Sequence, residues 1–232
     1  MVGRGKRGVP PEEVAEILGK LDEVLAMTDA EGRCVSNAKF GIYAFYDYDG
    51  EPIYVGQTAE QLRVRIRRHL TNQRTDAVAM NVLDPFEVAE IEMWPLWELQ
   101  GEPKKSARAK AILNGGEFTV FQELVARSRF EAVLNEIPVA RADKIDLPAS
   151  LRARIVPDGV YERRLHPDVR IARRANTIAK LADVISQRAV QSGLRNTLLT
   201  QARRLEHLAR RRLDDLGGPS TADDAEPTDA NA

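Results

Sequence analysis

Two aromatic-rich apolar runs on either side of Asp49-Gly50, followed at once by a basic run, constrain this chain more than any other stretch. In residues 41–69, GIYAFYDYDGEPIYVGQTAEQLRVRIRRH, the Asp-Gly pair marks a tight reversal, because glycine takes positive φ without steric penalty. The pattern predicts a strand over 39–47, a returning strand over 52–55, and a helix capped by Thr58 and running to about residue 71. Leu62, Ile66 and Leu70 recur every fourth residue and are expected to face the sheet. Arg63, Arg65, Arg67, Arg68 and His69 take the remaining directions, and Arg65 and His69, four apart, share one face.

The rest of the chain has to cover that hairpin. Pro10-Pro11-Glu12-Glu13 suits a helix start, since proline fits the first turn and acids fit its positive end. Val14, Ile17, Leu18, Leu21 and Leu25 follow at helical spacing. Residues 28–37 read as a loop, 71–84 as a polar stretch, 86–96 as a third strand, and 104–113 as a helix ended by Gly115-Gly116. A further helical stretch spans 118–134, and 141–161, with Pro148, Pro157 and Gly159, reads as a connector. Ile171, Ala175, Ile178, Ala182, Ile185 and Ala189, then Leu198, Ala202, Leu205, Ala209 and Leu216, repeat a helical stripe broken at Ser192-Gly193. That is either a helical hairpin or one long kinked helix. The fold class expected is α/β in the α+β sense, a small three-stranded antiparallel sheet flanked by helices. The expected organisation is a basic lead and helix over 1–38, a core unit over 39–138, a connector over 139–167, a basic helical appendage over 168–216, and a disordered acidic tail over 217–232.

Net charge is -1, but it is segregated. Residues 163–212 hold 13 Lys/Arg against three acids, while six acids and no base follow Arg212. Such an excess favours a nucleic-acid backbone as partner, with Arg173, Arg174, Arg203 and Arg204 as candidate phosphate contacts. The single Cys34 excludes an intrachain disulfide and a thiolate zinc cluster. No apolar run reaches membrane-spanning length, and a cytoplasmic protein is expected.

Gly41-Ile42-Tyr43, then Tyr54-Val55-Gly56 with Tyr54 eleven residues after Tyr43, then Arg65 and His69 resemble the GIY-YIG endonuclease superfamily, most closely its restriction-endonuclease-like members. The resemblance implies metal-dependent hydrolysis of DNA phosphodiester bonds, in restriction, defence or mobile-element cleavage. It implies a catalytic set of Tyr43, Tyr54, Arg65, His69, Glu123 and Asn135, with Glu123 holding one Mg²⁺ or Mn²⁺ ion. Tyr43 would act on the nucleophilic water as base or relay, and Arg65 and His69 would serve the scissile phosphate. Gly56 would let a phosphate approach the backbone, and Arg63, Arg67 and Arg68 would join the nucleic-acid contacts. Double-stranded DNA is the expected partner, with the C-terminal helices as a homodimer surface. The alternative is a catalytically inactive nucleic-acid-binding protein of the same fold; a protein-interaction module is the third reading.

Overall fold

The computed structural model describes residues 12–70, 84–135, 139–187 and 192–217. The expected basic lead, the polar stretch over 71–84 except Asp84, and the acidic tail over 217–232 except Gly217 lie outside these. Four strands, β1 (Gly41–Tyr46), β2 (Pro52–Thr58), β3 (Glu90–Pro95) and β4 (Leu151–Arg154), form one antiparallel sheet in the order β2-β1-β3-β4. The helices are α1 (Glu12–Leu25), α2 (Leu62–Leu70), α3 (Ala107–Arg127), α4 (Asp158–Leu165), α5 (Pro167–Gln187) and α6 (Ser192–Asp215).

The sequence β1, GIYAFY, is buried at all six positions because it is central and covered on both faces. Tyr43 and Phe45 face one way, onto Leu21 and Leu25 of α1 and Leu62 and Ile66 of α2. Ile42, Ala44 and Tyr46 face the other way, onto Leu113, Val120 and Leu124 of α3. The period of two thus serves two separate cores. The hairpin turns where expected, with Gly50 at positive φ and Asp47 Oδ1 accepting from the backbone N–H groups of Asp49 and Glu51.

The expected three strands become four, because Leu151–Arg154 inside the anticipated connector pairs with β3, Met93 opposite Leu151 and Glu90 opposite Arg154. Gly115-Gly116 does not end a helix; α3 runs through both. A Cβ on Gly115 would stand 2.6 Å from the Asp143 carbonyl oxygen, and one on Gly116 3.1 Å from Ile42. Both glycines therefore answer to close packing, which overrides their weak helix propensity.

The C-terminal helices form an antiparallel hairpin: Leu181 and Ile185 of α5 pack on Leu194 of α6, while Arg212 near the far end of α6 bonds both Asp168 carboxylate oxygens at 3.0 Å. Their buried stripe is apolar only in part, with Leu181, Ile185, Leu194 and Leu208. It carries Arg170 and Arg174 on α5, and Thr197, Gln201 and Arg204 on α6. Among the described residues no helix is long and apolar enough to cross a membrane.

Candidate active site

Strand β1 holds Tyr43 opposite Gly56 of β2, and α2 crosses the same face. This brings four side chains together. The Tyr43 hydroxyl accepts a 3.2 Å bond from Arg65 Nε. The His69 ring lies 5.8 Å from that of Tyr43 and 4.8 Å from that of Tyr54, edge-on to both, and the two tyrosine rings are 5.9 Å apart. Gly56 has no alternative here: a Cβ would meet Tyr43 Oη at 2.7 Å and Tyr54 Cε1 at 2.8 Å.

Burial pushes the Tyr43 phenol well above its ordinary 10, and Tyr54 adds to the rise. Arg65 works against both and does not prevail. In the free protein Tyr43 is therefore a neutral phenol.

The acid within the field of Arg65 is Glu117, reached through Gln57 on the α3 side of β2. It is half-buried on α3, and its Oε2 accepts a 2.9 Å bond from Gln57 Nε2. The same Gln57 nitrogen donates at 2.9 Å to Asn114 Oδ1. Burial holds the Glu117 carboxyl above its ordinary range, opposed by the Gln57 bonds and by the field of Arg65. Glu123, the acid expected from sequence, is not brought here. It sits six residues on, roughly 120° away around the helix axis, with its side chain 44% exposed and bonded to Arg127 at 3.4 Å. Asn135 is near in sequence order but otherwise employed: its Oδ1 accepts from Val55 N–H at 3.1 Å and its Nδ2 donates to Val55 O at 2.9 Å. It completes the outer edge of β2 as a further strand residue would.

The nominated phosphate contacts fare unequally. Arg63 bonds Asn37, Arg67 pairs with Asp22, and Arg68 pairs with Glu60 at 2.8 Å, all partly exposed on α2. Arg203 is exposed and Arg173 lies over the Phe86 ring. Arg174 and Arg204 are buried, with Arg170, around Asp47, Asp49 and Glu87. Arg174 reaches Asp47 at 2.6 Å and Glu87 at 3.3 Å, Arg170 reaches Asp49 at 2.7 Å, and Arg204 reaches Asp47 at 3.9 Å. These cations weld the C-terminal hairpin to the β1–β2 turn and are not available to a phosphate backbone. Sequence reasoning missed a different cation, Lys110, exposed on α3 at the i, i+4, i+7 positions that also carry Asn114 and Glu117.

Residues 39–105 match the family model of the GIY-YIG catalytic domain. This segment is a GIY-YIG domain. No curated protein and no solved structure matches the chain. The matched span holds both motifs of the GIY-YIG domain, with α2 and β3, and stops before α3 and Glu117. A GIY-YIG domain is a nuclease domain, and its substrate is nucleic acid.

A divalent metal is the cofactor that this domain implies. Among the described residues no group of three or more His, Cys, Asp or Glu gathers to cage one. Mg²⁺ needs no such cage, since it keeps several waters and is commonly held by one or two carboxylates plus substrate phosphates. Glu117, a hard oxygen donor desolvated on α3 within the field of Arg65, fits that mode of binding.

Proposed function

We propose that this protein is a metal-dependent endonuclease that hydrolyses DNA phosphodiester bonds at the face of the β1–β2 hairpin that carries Tyr43, Tyr54, Arg65 and His69, in restriction, defence or mobile-element cleavage. The observation that carries the reading is the convergence of Tyr43, Tyr54, Arg65 and His69 on one face of the β1–β2 hairpin, with Glu117 on α3 close enough to feel the field of Arg65.

Arg65 gives its Nε–H to Tyr43, which leaves the outer guanidinium nitrogens to take a phosphate oxygen. Tyr43, held neutral by burial, relays a proton from the attacking water and is not a standing phenolate base. His69, packed between the phenols, steadies both rings and offers a second route for that proton. Tyr54, more open than Tyr43, meets the substrate backbone at the mouth. Glu117 would hold the Mg²⁺ or Mn²⁺ ion, which when bound supplies charge neutralisation on the phosphate and a Lewis acid. Arg63 and Arg68 on α2 and the exposed Lys110 on α3 would steer the flanking phosphates.

Nicking of supercoiled plasmid with Mg²⁺ tests the reading. The wild type is expected to cut, Tyr43→Phe, Arg65→Ala and Glu117→Gln to lose at least 100-fold, a loss of about 2.7 kcal/mol of transition-state stabilisation, and Glu123→Gln to cut as the wild type does. Equal cutting by all variants overturns the proposal, and Mg²⁺-independent DNA retention with no cleavage on any substrate favours the inactive DNA-binding alternative.

A further inference from the structure

Gln57 and Asn114 are polar, partly buried and not members of either motif. Gln57 sits on β2 one residue beyond Gly56, on the sheet face that α3 covers. Its Nε2 has two hydrogens and two acceptors, Glu117 Oε2 and Asn114 Oδ1, both at 2.9 Å. Asn114 and Glu117 are three apart on α3 and so present their oxygens from one helix face. The Glu117 carboxylate can only accept, so Gln57 turns its Nε2 toward it, and Asn114 Oδ1 takes the second hydrogen of the same nitrogen.

We propose that Gln57 and Asn114 are positioning residues for the Glu117 carboxylate: Asn114 anchors the Gln57 amide by taking its second hydrogen, and Gln57 fixes the carboxylate for its metal. The proposal rests on the reading of Glu117 as metal ligand. The logic is that of outer-shell partners generally, which orient a ligand they do not replace. Gln57 supplies the only side-chain hydrogen bond seen on Glu117 among the described residues. Without it the carboxylate would swing freely on a side chain with three rotatable bonds, and each metal encounter would have to immobilise it afresh.

The test is direct Mn²⁺ binding to the full chain by electron paramagnetic resonance, with plasmid kinetics alongside. Gln57→Leu is expected to weaken Mn²⁺ binding by about 10- to 100-fold, to lower kcat, and to leave KM for DNA unchanged. Asn114→Leu should weaken binding in the same direction by a smaller factor, because Gln57 remains but loses its anchor. Gln122→Leu, at an exposed α3 position, should bind Mn²⁺ and cut as the wild type does. Thermal unfolding without metal checks that each variant folds, and Asn114→Leu carries the test if Gln57→Leu does not. Wild-type Mn²⁺ affinity in Gln57→Leu and Asn114→Leu, with Glu117→Gln silent, overturns the positioning role. Wild-type affinity in Glu117→Gln overturns instead the underlying reading of Glu117, and the inference with it.

Discussion

Asp47 lies at the centre of the charged cluster under the hairpin, and its neutralisation is the most informative perturbation of this fold. Its carboxylate is wholly buried, with one oxygen on two backbone N–H groups of the turn and the other 2.6 Å from Arg174. Asp47→Asn keeps the shape and an oxygen for the turn but leaves Arg170, Arg174 and Arg204 with Asp49 and Glu87 alone. Breaking a buried ion pair from one side costs about 3–5 kcal/mol, which for a chain of this size lowers Tm by roughly 6–20 °C. Arg204→Met is the contrast. Burial pulls the Arg204 guanidinium down to about 10 against the attraction of Asp47, and its Nε and Nη1 have no hydrogen-bond partner. Its charged form is therefore held against an opposing cost of about 3 kcal/mol. Removing it relieves that cost and forfeits two bonds, to Pro52 O and Ala132 O, worth about 1 kcal/mol each. The expected change for Arg204→Met is within about 2 kcal/mol of zero, read by urea unfolding of both variants in one buffer. If Arg204→Met destabilises as much as Asp47→Asn, the claim that Asp47 is the compensating charge and Arg204 the under-compensated one is refuted.

Glu117→Gln should raise stability at neutral pH in metal-free buffer. The folded-state carboxyl lies above its ordinary 4.5, so its contribution is fully present below 4.5 and lost as pH rises through the folded value. The gain from Gln should accordingly shrink on acidification, as a Tm series between about pH 4 and 7 would reveal. Gly56→Ala should push both phenols off their rotamers, lowering cleavage at least 100-fold and stability by about 1–3 kcal/mol; cleavage at the wild-type rate would argue against the packing described. Asn135→Ala should strip both bonds from the Val55 backbone and cost about 1–3 kcal/mol, with cleavage at low temperature reduced far less than in Glu117→Gln.

The hairpin, α2 and the four residues on its face were legible in sequence for a simple reason. Asp49-Gly50 fixes the reversal locally, and Leu62, Ile66 and Leu70 fix the helix orientation, so Arg65 and His69 follow without long-range information. The rest depended on contacts that sequence separation hides. Gly115-Gly116 reads locally as a helix end, but Ile42 and Asp143 sit where their side chains would be, and the helix continues. A helix break at these glycines would separate Glu117 from Asn114 and Lys110 and leave Glu123 as the mid-helix acid. A continuous helix, with polar residues at 110, 114 and 117, was the signal that could have found the carboxylate. Strand β4 is four residues long and half exposed at the sheet edge, too short for its alternation to stand out. Arg174 and Arg204 read as phosphate contacts because their acid partners lie far away in sequence, at 47 and 87.

The charged weld between the β1–β2 turn and the last two helices has a practical consequence for anyone dissecting this protein. The span that the family model recognises ends before α3, β4, α5 and α6. A fragment trimmed to 39–105 would leave behind Glu117 and every arginine that neutralises Asp47, Asp49 and Glu87. Three stranded carboxylates beside an opened core would make inactivity of such a piece uninformative about chemistry. The smallest unit worth purifying reaches to the end of α6.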